Sequence, residues 1–141
     1  MKKVIITLSI LILLSLNAVS AEKTILIDKY HDTDNWWGNP EGGGQFLFTE
    51  LSTLGFTTKI NETPLTPESL RGSDILVLWN PNNPLDENEI TALTKFVNDG
   101  GSILLLASNE QDMMDQSRDS LNIFLEPFGI RIMKNGTDDP S

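Results

Sequence analysis

Three nearly continuous apolar runs constrain the fold of this chain more than any other feature of its sequence. They cover residues 24–28, 74–79 and 102–107, and helix-forming patterns separate them. A strand that is apolar at consecutive positions is buried on both faces, which is typical of parallel sheets covered by helices. The sequence therefore predicts a three-layer α/β fold, with a mostly parallel sheet and helices on both faces.

Weaker patterns complete the alternation of strands and helices. Asp86 and Glu89 have the spacing of a capping box, which places a helix start soon after the second apolar run. Gly100 and Gly101 then end that helix before the third run. Apolar spacing predicts four further elements, which are helices over 45–54 and 121–125 and strands over 56–60 and 130–133.

The start of the chain has the pattern of a signal peptide. Lys2 and Lys3 precede an apolar stretch over 4–16, and residues 19–21 supply the small side chains of a cleavage site. The stretch is shorter than the roughly 20 residues that a spanning helix needs, although an uncleaved anchor is the alternative. We therefore predict a secreted or periplasmic protein. The predicted organisation is a signal peptide over 1–21, an α/β domain over 22–135 and a polar tail over 136–141.

The composition excludes several classes of function. Twenty acidic residues oppose ten basic ones, so the formal net charge is −10. Such a charge repels nucleic acid and anionic membranes, because both require positive charge from the protein. The chain contains no cysteine, which excludes disulfides, thiolate catalysis and zinc–thiolate sites. We expect no cofactor and no bound metal.

A series of motifs in the second half of the chain resembles a known family. An apolar strand over 74–78 is followed by a helix that leads through Gly100 and Gly101 into the strand over 102–106, and the segment 128–130 comes later. This order resembles the class I glutamine amidotransferase-like superfamily. Within it, the chain is most similar to an uncharacterised exported branch related to gliding-motility, intraflagellar-transport and oligosaccharyltransferase-subunit domains.

The resemblance also implies how the chain departs from an active enzyme. In amidotransferases a reactive cysteine stands on the turn after the strand that matches 103–107, whereas here that turn is Ala107, Ser108, Asn109 and Glu110. The resemblance therefore implies an amidotransferase-like or flavodoxin-like fold, truncated at the C-terminus, without amidotransferase chemistry. Non-catalytic relatives imply a binding or scaffolding domain, with carbohydrate as one class of ligand.

Polar and aromatic residues follow three of the predicted strands. The carboxyl ends of parallel strands meet at one edge of the sheet, where α/β proteins bind ligands. Aromatic faces suit sugar rings or partner surfaces, and asparagine amides both donate to and accept from hydroxyl groups. We predict a non-catalytic, extracytoplasmic domain that binds a carbohydrate or a cell-surface protein. The candidate ligand-binding residues are Asp28, His31, Trp36, Trp37, Asn80, Asn82, Ser108 and Asn109.

Two alternatives compete with this interpretation. The first is a hydrolase in which Ser108 is the nucleophile and His31 is the base, with or without a metal held by Asp28 or Asp32. Ser108 lacks the glycine context of a nucleophile elbow, and a serine that caps the next helix is the simpler reading. The second is a structural subunit of a surface assembly, in which the 36–37 tryptophan pair is buried against another chain.

Overall fold

The computed structural model describes residues 22–32, 43–106 and 115–133. Strands and helices alternate along these ranges, except that no helix separates the second strand from the third. The strands and the helices between them lie close to their predicted bounds, and a 3₁₀ turn (Glu126–Phe128) follows the last helix. The elements are β1 (Thr24–Asp28), α1 (Gly43–Thr53), β2 (Thr57–Asn61), β3 (Ile75–Trp79), α2 (Glu87–Asn98), β4 (Ser102–Leu106) and α3 (Asp115–Leu125).

The four strands form one parallel sheet in the order β2-β1-β3-β4. In this order the chain moves outward from β1 in one direction to β2 and then in the other direction to β3 and β4. The carboxyl ends of β1 and β3 are therefore the topological switch point, where open α/β sheets bind ligands. The four-stranded parallel sheet with its helices confirms the α/β prediction.

Apolar side chains cover both faces of the sheet. On one face, Ile25, Ile27 and Val77 form a cluster against α1. On the other face, Leu26 and Leu76 belong to a larger cluster that α2 and α3 cover. Side chains alternate between the two faces along each strand, so consecutive apolar residues supply both clusters.

The predicted strand over 130–133 is wrong, because these residues pair with no strand in the part of the chain that the structure describes. The side chain of Asn122 binds them instead. Its Oδ1 accepts from the amide of Ile132 at 2.7 Å, and its Nδ2 donates to the carbonyl of Ile132 at 3.1 Å. A side-chain amide therefore satisfies the backbone groups that a neighbouring strand would have satisfied.

Residues 1–21 and 136–141, predicted as a signal peptide and a polar tail, lie outside the described residues. Within the described ranges, no helix is long and apolar enough to span a membrane.

Candidate functional site

Asp28 and His31 form a buried pair at the carboxyl end of β1. Asp28 is the last residue of the strand, and both side chains are only 1% exposed. The backbone amide of His31 donates to Oδ2 of Asp28 at 3.2 Å, and Nδ1 of His31 donates to the same oxygen at 2.7 Å. The turn after β1 therefore orients the imidazole ring through two hydrogen bonds to one carboxylate.

The loop after β2 reaches the same carboxylate. Asn61, the last residue of β2, donates from Nδ2 to Oδ1 of Asp28 at 2.8 Å. Asn61 is held in turn by Thr63, whose hydroxyl donates to its Oδ1 at 3.2 Å and whose carbonyl accepts from its Nδ2 at 2.5 Å. Both oxygens of Asp28 thus accept hydrogen bonds from within the chain.

Glu89 faces the other ring nitrogen of His31. Its Oε1 lies 3.2 Å from Nε2, an ion-pair contact without the alignment of a hydrogen bond. The same oxygen accepts from the amide of Leu65 at 2.9 Å, and Oε2 accepts from the amide of Asp86 at 2.9 Å. Asp86 completes the predicted capping box by accepting from the amide of Glu89 at 2.8 Å.

The two carboxylates determine the charge of His31. Burial disfavours the charged ring and lowers its pKa, but the hydrogen bond and charge of Asp28, together with Glu89, outweigh burial and raise the pKa of His31 above its ordinary value of 6.5. The imidazolium form of the ring is therefore favoured between the two buried carboxylates. Such a cation stabilises the fold only while both partners remain in place.

The loop after β3 closes the switch point over His31. The amides of Asn82 and Asn83 donate to the carbonyl of His31 at 2.8 and 3.3 Å, and Nδ2 of Asn83 donates to the carbonyl of Tyr30 at 3.1 Å. From α3, the hydroxyl of Ser117 donates to the carbonyl of Asn82 at 2.5 Å. These bonds join the loops after β1 and β3 to the last helix.

Asn80 begins this loop with an unusual backbone. Its φ is +37°, in the left-handed region that asparagine tolerates better than most residues. Its amide donates to the carbonyl of Leu106 at 2.7 Å, so the bend starts while the chain is still paired with β4. Asn80 and Asn82 are both buried, which makes them part of the packed edge of the sheet.

The structure thus brings together four of the predicted site residues, which are Asp28, His31, Asn80 and Asn82. The other four, Trp36, Trp37, Ser108 and Asn109, lie outside the described residues. Glu89 is the residue that sequence reasoning missed. The spacing of Asp86 and Glu89 predicts a capping box, and nothing in the sequence indicates that Glu89 also contacts His31.

The described part of the edge is filled by its own side chains. Among the described residues, no group of three or more histidine or acidic side chains is arranged to hold a metal ion. Two open grooves, of about 350 and 470 Å³, lie elsewhere on the surface, one beside Arg71 and Lys95 and the other beside Asn122 and Ile123. Chemically, the network of Asp28, His31 and Glu89 joins loops and places both ring nitrogens of His31 against buried carboxylates.

Fold and site together define a parallel α/β domain of flavodoxin-like strand order whose switch point is occupied by a buried ion-pair network. The family model of the IFT52 GIFT domain matches residues 45–137, so the chain belongs to the IFT52 GIFT domain family. No curated protein matches the chain.

A solved structure supports the same fold. The chain is similar to the structure described as "mmIFT52 N-terminal domain", with a TM-score of 0.56 and 22% sequence identity. The match covers 74% of this chain and 44% of that chain, so this chain spans less than half the length of the solved domain.

Family membership corrects the amidotransferase assignment, which is wrong. The most specific part of that resemblance was the helix–Gly–Gly–strand element, and its glycines have a structural explanation. Gly100 adopts a φ of +99°, and a Cβ on Gly101 would lie 2.4 Å from the ring of Phe96. Both glycines are therefore required by the turn between α2 and β4, which many α/β folds contain.

The predicted secreted or periplasmic location is also wrong, because IFT52 is an intraflagellar-transport protein. That prediction depended on residues 1–21, where a short apolar stretch after two lysines matched a composition pattern.

Proposed function

We propose that the chain is a non-catalytic scaffolding domain that binds protein partners. Membership of the IFT52 GIFT domain family supports a role of the intraflagellar-transport type, in which a subunit holds other proteins together. The proposal that the domain is non-catalytic depends on the contacts of His31, whose two ring nitrogens both face buried carboxylates.

A general base must have a nitrogen that is free to accept a proton and within reach of the nucleophile. His31 is the chain's only histidine, and its ring is 1% exposed. Its Nδ1 donates to Asp28, and Nε2 is paired with Glu89. A dyad with Ser108 would require His31 to leave Glu89 and to lose its proton, both of which the raised pKa of His31 opposes.

A protein partner fits this chain better than a carbohydrate. The carbohydrate hypothesis depends on Trp36 and Trp37, which lie outside the described residues, and family membership points to protein assembly. Exposed apolar side chains of the kind that protein interfaces bury include Phe46, Ile123 and Ile130.

Two assays on the full chain test this proposal. Hydrolysis of a panel of aryl esters and peptide amides is measured for the wild type and for Ser108→Ala. We expect no turnover in either, and turnover that disappears in Ser108→Ala would overturn the non-catalytic assignment. A glycan array on the same preparation should show no signal; a signal lost in Trp36→Ala or Trp37→Ala would favour the carbohydrate hypothesis.

A further inference from the structure

The segment that joins β2 to β3 contains no helix and is attached to α2 by one backbone hydrogen bond. The amide of Leu65 donates to Oε1 of Glu89 at 2.9 Å. Among the described residues, the other hydrogen bonds of residues 64–73 join neighbours within the segment, such as the reciprocal pair between Thr66 and Ser69. The side chain of Leu65 is fully buried in the larger core cluster. Glu89 therefore connects a buried part of this segment to the start of α2.

The oxygen that accepts from Leu65 is also the oxygen that faces His31. Oε1 of Glu89 lies 3.2 Å from Nε2 of the ring, without the alignment of a hydrogen bond. On the other side of the ring, Nδ1 donates to Asp28 at 2.7 Å. Nε2 therefore has the weaker of the two contacts, and a change in that contact reaches the amide of Leu65 through a single oxygen.

The ionisable groups around the ring determine when it loses its proton. Asp28 of β1 and Glu89 of α2 lie against its two nitrogens, and the phenol ring of Tyr30 contacts it edge-on, with 5.1 Å between the centroids. Among the described residues, the other ionisable side chains around this contact are acidic or already paired, and they are Asp32 next to His31 in the chain, Asp86 before α2, and the Arg118–Asp115 pair on α3. The loops after β2 and β3 contribute uncharged asparagines.

A neutral ring cannot satisfy both carboxylates. An imidazolium has two N–H donors, whereas a neutral imidazole has one N–H and one nitrogen that only accepts. The aligned hydrogen bond to Asp28 retains the hydrogen on Nδ1, so the proton that leaves for water comes from Nε2. The lone pair of Nε2 then faces Oε1 of Glu89, and two acceptors 3.2 Å apart repel each other. Deprotonation therefore turns an attraction between His31 and Glu89 into a repulsion.

We propose that the proton on Nε2 of His31 is a pH-sensitive switch that holds the 64–73 segment against α2. When the ring is an imidazolium, Glu89 stays beside it and Oε1 holds the amide of Leu65. When Nε2 loses its proton to water, Glu89 turns away from the ring and releases that amide. The segment then opens locally while the sheet remains folded. This inference goes beyond the proposed scaffolding role and does not depend on it.

Amide exchange of the full chain, measured by NMR as a function of pH, tests the switch. Leu65 donates to the carboxylate of Glu89, whereas Leu85 is a buried amide that donates to the hydroxyl of Ser120 at 2.9 Å. Leu85 is the matched control, because its acceptor carries no charge. Rates are divided by the intrinsic rate at each pH. As the pH rises through the titration midpoint of His31, the protection of Leu65 should fall about tenfold relative to Leu85, the scale of one hydrogen bond to a charged group.

Two substitutions in the first turn of α2 separate the switch from a general response to pH. Glu89→Gln removes the charge that an imidazolium attracts and a neutral ring repels, so the response of Leu65 should shrink to that of Leu85. Glu87→Gln is the control variant, because Glu87 lies in the same turn, is exposed and loses the same charge. We expect Glu87→Gln to retain the full response.

Three results would overturn the switch. An equal fall at Leu65 and Leu85 in the wild type would mean a general loss of stability, and an unchanged ratio would mean that Glu89 keeps its position beside a neutral ring. A response of Leu65 that persists in Glu89→Gln, or that disappears in Glu87→Gln, would assign the effect to other groups. If Glu89→Gln fails to fold, the comparison of Leu65 with Leu85 in the wild type decides the matter.

Discussion

The carboxyl edge of the sheet and the outer edge of β4 differ in the polarity and the burial of their side chains. At the first, charged and polar side chains from β1, β2, α2 and the turn after β1 contact one another inside the domain, with His31 at the centre. At the second, an uncharged apolar strand leaves backbone groups directed outward from the described residues. The comparison teaches that the described part of the usual ligand site of an α/β sheet is here internal structure, whereas β4 keeps partly exposed apolar side chains at the side of the sheet.

The largest effect that distinguishes the two regions is expected from His31→Leu. Removing the imidazole leaves Asp28 and Glu89 buried without their ring partner, which costs about 3–5 kcal/mol in the free energy of unfolding if the pair is ionic. Urea denaturation monitored by circular dichroism measures the change. A loss below about 1 kcal/mol would mean that the pair contributes no more than a surface ion pair.

Glu89→Gln should have an intermediate effect. The amide keeps an oxygen that can accept from Leu65 or Asp86, but it removes one of the two charges that face His31. We expect a loss of about 1.5–3 kcal/mol, the range for a hydrogen bond to a charged group. The same variant should also lower the pKa of His31, because one cause of its elevation is gone. An unchanged pKa in a folded variant would contradict the proposed pairing.

Stability should depend on pH through His31. Because its pKa is raised on folding, the stabilisation is fully present below the unfolded value of 6.5 and is lost as the pH rises through the folded value. Urea midpoints measured from pH 6 upward should therefore decrease for the wild type. His31→Leu serves as the control, since the decrease should be absent there; an equal decrease in both proteins would assign it to other groups.

The smallest effect is expected at the other region. Leu104→Thr exchanges a half-exposed leucine for a residue that also favours strands, so the free energy of unfolding should change by no more than about 0.5 kcal/mol. Thermal unfolding followed by circular dichroism provides the measurement. A loss of several kcal/mol would show that Leu104 is already covered in the free chain and would remove the contrast between the two regions.

Much of the fold could be predicted because its information is local. Residues 25–27 and 75–79 are apolar at consecutive positions, and that pattern correctly predicted strands buried on both faces. The same pattern over 103–106 overstated the burial of β4, in which Leu104 is 48% exposed. The strand predicted over 130–133 failed because Asn122 supplies a side-chain partner that no periodicity reveals. Local sequence patterns thus indicate strands and helices, but they do not show which distant group forms hydrogen bonds with the backbone of a segment.

The site was predictable only in part for the same reason. Asp28 and His31 are three residues apart, so their proximity followed from the end of a strand. Glu89 reaches His31 only because the capping box that starts α2 is folded back onto the carboxyl edge of the sheet. The one available signal was that this helix begins soon after the asparagine-rich loop at the end of β3, which lies on the same edge as His31.

The most direct test of this account is an NMR titration of His31, whose signals require no assignment because the chain has only one histidine. Nitrogen shifts should give a titration midpoint above 6.5, with both ring nitrogens protonated below that midpoint. A midpoint at or below 6.5 would contradict the ion-pair network and leave Nε2 of His31 available as a base.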